Sequence, residues 1–325
     1  MALLIALPVH AEPVSFGDLG IVGDAPFYIA QEKGYFAAAK IEVAPVRFDS
    51  AAQAPVQLAT NQLQVMVGGL GAALFNTFAR DLPVRIVMGN TRDMPGFSSD
   101  TLLVREDLRD RVRTLADLKG RKIAINAPAG ALDYMIGKML AAAGLRPRDA
   151  DIVFVPWPDQ GAAFANRAIE GGAVSEPFAT LYAERHLAFA FKHAADVLTD
   201  PPLQVSVVLF SKAWMDAKPE EARAFAMAYL RGARDYCDAM RGGTMRAEVI
   251  DILARHTSLK DQALYRRIQW SYMDPNGEIV LTSLADQQAW FAAEGAVATP
   301  VDVDRMVDRR FLDQALAALG RVETK

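Results

Sequence analysis

The chain is poor in the residues that carry most metal, redox and nucleophilic chemistry. One cysteine, Cys237, in 325 residues excludes an intramolecular disulfide and a cysteine-rich metal site. It lies in AYLRGARDYCDAM, where the surroundings predict a small buried helix residue. The four histidines, His10, His186, His193 and His256, show no close ligand spacing. There is no Ser-His-Asp order, no HExxH, no nucleotide fingerprint with its acidic partner and no cysteine-nucleophile pattern. These absences weaken the common enzyme readings and point to no metal and no cofactor. Lys and Arg are scattered and the net charge is −4, so the basic footprint of a nucleic-acid binder is missing. No apolar run beyond the first residues is long enough to span a bilayer.

What is there is a long, apolar and well-punctuated chain. At 52% hydrophobic and 23% charged, it can fill two ordinary cores, so two lobes are expected. The opening MALLIALPVHAEP places small side chains, Val9 and Ala11, at −3 and −1 of a possible cut before Glu12. That resembles the end of a secretory signal without its basic n-region, against the alternative of a plain apolar tail. Residues 1–11 are therefore read as a signal remnant, and the expected location is periplasmic, exported and soluble.

Short apolar strands alternate with helical patterns, the signal of parallel sheets flanked by helices. Strands are expected at 14–19, 41–48, 63–69, 84–90, 101–107, 122–126, 151–157, 171–177 and 205–210. TDPP (199–202) punctuates the chain, and everything from Pro219 onward is helical in pattern. An all-helical tail cannot build a sheet of its own, so it is expected to pack back on the first lobe. The first lobe would then be discontinuous, 12–104 and 205–325, with the second lobe at 105–204.

In open parallel sheets ligands sit beyond the carboxyl ends of strands, where helix N-termini present unpaired N–H groups. The first such junction is GIVGDAPFYIAQ, with Asp24 able to cap and Ala25 and Pro26 opening a helix. Neighbouring helix residues diverge by about 100°, so Phe27 and Tyr28 cannot share one face, and one of them is expected to reach the cleft. Tyr35 and Phe36 are expected in the core. The second junction, FDSAAQAPVQL, offers Ser50 and Gln53 as neutral hydrogen-bonding groups. The third, GGLGAALFN, clusters Gly68, Gly69 and Gly71 and lets backbone N–H groups, with Leu70, approach a ligand; it lacks the lysine and spacing of a P-loop.

GNTRDMPGFSS (89–99) supplies Asn90 and Arg92 at a strand end; Arg92 either clamps an anionic group or is a solvated loop residue. In the second lobe NAPAGALDYM brings Gly130 and Asp133 to a helix start. PWPDQGAAF holds Trp157 between two prolines, expected in a fixed loop as an aromatic wall or as interlobe packing. Glu176, in SEPFATLY, accepts either from a ligand N–H or from an interlobe hydrogen bond.

APFYIAQEKGYF, TLADLKGRKIAIN, GGAVSEPFATLY and DQQAWFAAEGAVATPVDVDRMVDRRFLDQAL together resemble the nitrate, sulfonate and taurine class of ABC-transporter substrate-binding proteins, a class that includes binders of thiamine pyrimidine precursors. The segments occur in family order over nearly the whole chain. The resemblance implies an α/β, two-lobed periplasmic-binding-protein fold of type II, each lobe a mixed sheet flanked by helices, with the ligand cleft between lobes. It also implies a monomeric receptor that delivers a small molecule to a membrane permease driven by a separate ATPase. By the same resemblance Ala25, Pro26 and Phe27 match the first cleft loop, Gly69 and Leu70 the third, Gly130 and Asp133 the second-lobe helix start, and Glu176 the last loop. The charged stretch NTRDMPGFSSD departs from the sulfonate-binder pattern.

For the ligand, Trp157, Phe27 and Tyr28 favour a flat aromatic or heteroaromatic ring, with or without a carboxylate. Arg92 keeps open an oxyanion such as nitrate or an alkanesulfonate. The rival functions are a same-fold enzyme of pyrimidine or aromatic metabolism and a soluble ligand sensor.

Overall fold

The computed structural model describes residues 12–48 and 50–323; the expected signal remnant, residues 1–11, lies outside the described residues. Thirteen strands are formed there: β1 (Val14–Asp18), β2 (Val43–Arg47), β3 (Val65–Gly69), β4 (Val84–Gly89), β5 (Thr91–Asp93), β6 (Asp100–Arg105), β7 (Lys122–Ile125), β8 (Asp151–Phe154), β9 (Gly171–Ser175), β10 (Ala188–His193), β11 (Leu203–Gln204), β12 (Ser206–Ser211) and β13 (Tyr272–Met273). Strands such as VMVGG and SVVLFS are apolar or small without alternation, because helices cover both faces of their sheet.

The first sheet has the order β2-β1-β3-β12-β4. β1 runs parallel to β2 and β3, whereas β12 is antiparallel to both β3 and β4. A strand from after residue 205 is thus inserted between two strands from the first ninety residues. The second sheet, β10-β6-β9-β7-β8, is mixed: β7 is parallel to β8 and β9, and β6 is antiparallel to β9 and β10. Because β6 belongs to this second sheet, the chain crosses between sheets at residues 90–99 and not near 104.

The two crossing segments are hydrogen-bonded neighbours in a third sheet, β11-β5-β13. Leu203 pairs with Asp93 and Gln204 with Arg92. The Gln204 amide, fully buried, donates to Thr91 O at 3.1 Å and Ser206 O at 2.9 Å and accepts from Val280 N at 3.1 Å. Every polar atom of that side chain is engaged, so the buried amide is fully satisfied where the segments cross. β13 corrects the expectation of an all-helical tail: two residues on a sheet edge carry no readable periodicity.

The helix Ala25–Glu32 is sandwiched between the first sheet and the helices Pro219–Met240 and Arg246–His256. Phe27 stacks on Phe16 with ring centroids 3.9 Å apart, and Phe225 joins them. The backbones approach so closely that a Cβ on Gly232 would lie 2.1 Å from Pro26 O. The tail also does more than cover the first lobe. Its helix Leu281–Ala293 packs on the helix Ala72–Ala79 and on the second-lobe helix Ala131–Ala142. There Asp286 accepts from Tyr134 and pairs with Lys138 at 3.0 Å, and the Trp290 indole occupies the space above Gly137.

Candidate ligand-binding cleft

The strand ends of both lobes face each other across a cavity of about 120 Å³. An apolar cavity of about 150 Å³ holds a benzene-sized molecule, so this space suits a ligand of one ring. Loop residues Leu19, 21–23 and Gly68–Gly71 form the first-lobe wall, Asn126–Leu132 and Trp157 the second-lobe wall, and Thr91, Ser99, Asp100, Val205, Ser206 and Ser271 the floor. The walls also meet backbone to backbone. Gly71 and Gly130 form a backbone bridge, and Ala72 N donates to Ala129 O at 2.9 Å. A Cβ at Gly71 would stand 2.7 Å from that carbonyl oxygen, so only glycine permits the approach.

The floor is acidic and hydroxyl-rich. β6 and β9 pair Asp100 with Ser175, which sets Glu176 immediately beside Asp100. Ser175 donates to Asp100 Oδ1, while Asp100 Oδ2 has no hydrogen-bond partner. Burial pushes the Asp100 carboxyl up to about 6 against the bond from Ser175. Glu176 is pushed to about 7 by burial, with the Asp100 charge adding to it; the Gln269 and Thr180 amides and the Thr180 hydroxyl oppose the shift. Its Oε1 accepts from Gln269 N at 3.1 Å and Thr180 Oγ1 at 2.8 Å. Glu176 therefore joins the second lobe to the tail as well as lining the cavity. Asp93, behind Asp100, accepts from Ser99 N at 3.0 Å and is driven well up by burial and by the Asp100 charge. Among the described lining residues there is no Lys, Arg, His or Cys.

Of the residues singled out from sequence, Ser50, Gly68, Gly69, Leu70, Gly71, Gly130, Trp157 and Glu176 line the cavity. The others do not. Phe27 and Tyr28 are both core residues, Tyr28 stacking on His256 at 5.0 Å and donating to Asp18. This helix has protein on both of its faces, so side chains that diverge by about 100° are both buried and neither reaches the cleft. Ala25 and Pro26 are buried with them. Asp24 does not cap its helix; its Oδ2 accepts from Leu19 N at 3.0 Å and Ile21 N at 3.3 Å. It shapes the loop that does face the cavity, a few residues upstream of the expected position. Asn90 pins the same loop, donating to Gly23 O and Ser206 Oγ at 3.0 Å each and accepting from Tyr229 at 2.9 Å. Asp133 accepts from Ala129 N at 2.9 Å and so ties its helix to the turn that precedes it.

Arg92 is neither a clamp nor a solvated loop residue. Alternation along β5 turns it away from Thr91 and Asp93; it donates to Glu278 O, lies 3.6 Å from Asp274 and covers the Tyr272 ring. Trp157 stands not in a loop but at the first position of the helix Trp157–Ala165, with Pro156 at its N-cap. Prolines are tolerated there because first-turn N–H groups have no intrahelical partner. Sequence reasoning missed Thr91, Ser99, Asp100, Ser206 and Ser271. The polar pair Ser99 and Asp100 opening an apolar strand was the available signal.

A ligand-sized cavity closed between two α/β lobes, joined by paired crossing segments, defines a two-lobed periplasmic-binding-protein fold of type II. The chain belongs to the NMT1-like family, whose sequence profile matches residues 8–254. Solved structures of the same fold include the zinc-bound ligand-binding component of an ABC-type import system from Staphylococcus aureus (14% identity, TM-score 0.77, covering 94% of this chain and 99% of that one). The periplasmic nitrate-binding protein NrtA from Synechocystis PCC 6803 is similar (17%, 0.76, 95% and 89%), as is the periplasmic aliphatic sulphonate-binding protein SsuA from Escherichia coli (16%, 0.74, 97% and 95%). The desulfurization enzyme DszB shares the fold at a TM-score of 0.66 (16%, 95% and 100%). At these identities the likeness is one of fold. Comparison with curated proteins gives no match. Among the described residues no group of three or more His, Cys, Asp or Glu is placed to hold a metal ion, and no helix is long and apolar enough to cross a membrane.

Proposed function

We propose that this chain is the exported receptor of an ABC import system, a binding protein and not an enzyme, which captures a small aromatic or heteroaromatic molecule between its lobes and presents it to a membrane permease with a separate ATPase. The observation that carries this reading is the cavity walled by both lobes and floored by the crossing segments, since a ligand touching both lobes favours the closed state by its differential affinity. Similarity of fold to import-system binding proteins supports the same role. The largely apolar wall that includes Trp157 suits a flat ring. An oxyanion has less support: the lining residues offer it no cation, and Arg92 is committed elsewhere. The enzyme reading has less as well, since neither His nor Cys lines the cavity. Native mass spectrometry of the purified protein, with small-angle scattering before and after ligand removal, tests the proposal. Retention of a small molecule and expansion on its removal are expected; a protein that retains nothing and never changes dimensions would contradict a closing receptor.

A further inference from the structure

The receptor reading leaves the chemical sign of the ligand open, and three observations bear on it. Two carboxyl groups, Asp100 and Glu176, meet at the cavity floor through the β6–β9 register, with a third, Asp93, behind them. Asp100 is only 1% exposed, yet its Oδ2 has no partner, and an unpaired buried acceptor is costly to retain without a function. No cationic side chain among the described lining residues offsets them. An anionic ligand here would add like charge to a desolvated acidic floor; a cation or strong N–H donor would relieve it.

We infer, resting on the receptor reading, that the ligand is a nitrogen base, a single ring bearing a protonated or N–H-donating nitrogen, held by Asp100 with Glu176 beside it and with its ring against Trp157. The hydroxyls of Ser99, Ser175 and Ser271 complete the polar end of the site. Asp100 is the specificity-determining residue, because Glu176 already spends much of its accepting capacity on Thr180 and Gln269.

The test is calorimetric titration and thermal shift of the whole protein at pH 8 with benzamidine and 4-aminopyridine, against benzoate and benzenesulfonate. The two bases are expected to bind and stabilise while the two anions do not. Asp100→Asn is expected to weaken the bases by about tenfold or more, the effect of losing one hydrogen bond to a charged group. If that variant does not unfold cooperatively, Glu176→Gln is expected to show a smaller loss in the same direction. Tighter binding of either anion, no binding of either base, or bases unaffected in a folded Asp100→Asn protein would overturn the inference. The receptor reading survives those outcomes as long as a co-purified molecule is retained and its removal expands the protein, so the two can fail separately.

Discussion

Asp100 and Glu176 are acids that hold their protons in the folded chain where an unfolded carboxyl has lost them. The folded state binds more protons between the ordinary carboxyl range and about 7, so stability declines as pH rises through that window and is flat above it. Asp24 and Asp93 shift in the same direction, each chiefly through burial. The ligand-free protein is therefore expected to melt lower at pH 8 than at pH 5.5, and Asp100→Asn to reduce that difference; a rising melting temperature over the interval would contradict the assignment. Two aromatic residues separate core from cleft at the same scale. Phe27→Ala removes a fully buried ring from the Phe16 and Phe225 stack and is expected to cost about 3–5 kcal/mol of stability with ligand affinity unchanged in the folded fraction. Trp157→Ala is expected to do the opposite, lowering affinity for a ring ligand by about tenfold with a smaller effect on denaturation, both read by titration and urea unfolding.

Among the elements, the two glycine-led helix starts meet backbone to backbone, and the proposed closure would rest on that contact. Gly71→Val would place side-chain atoms against Ala129 O, where a Cβ alone already comes within 2.7 Å. The expected result is a protein of normal melting temperature, larger radius of gyration with ligand than the parent, and weaker binding; unchanged scattering in the presence of ligand would remove this contact from the closing mechanism. The elements also mark how far sequence reasoning reached. β3 and β12 were legible because apolar runs bounded by turn signals have few other readings, and the Gly68–Gly71 and Gly130 junctions followed from strand-to-helix geometry. β13 was not, being two residues on an edge, nor was the grip of the helix Leu281–Ala293 on both lobes, since its Asp286 and Trp290 look like ordinary surface and core positions until Tyr134 and Gly137 are seen beneath them. Phe27 and Arg92 misled for one reason: a strand or helix start says where a residue is, while which face is covered depends on partners more than a hundred residues away.

At the scale of the whole molecule, the crossing sheet ties the lobes to the tail, with Gln204 bonded to both crossing segments and to the start of the tail helix. The order of strands has a further consequence, in time and not in space. The second sheet draws all five strands from residues 100–193, so its contacts are complete once that stretch is available. The first sheet is unfinished until β12 enters between β3 and β4, roughly 120 residues after the chain has left β4. Long-range pairing of this kind is slow, because loop closure must precede the contacts that reward it. On refolding, amides of β6, β7 and β9 are expected to gain protection from hydrogen exchange before those of β3 and β4, and pulse labelling would show the reverse order if the first sheet assembled alone. Until β12 arrives, β3 and β4 each present an open apolar edge, the kind that pairs with other chains. The half of the protein that begins the sequence is thus the last to be finished, and the interval in between is when it most needs a chaperone.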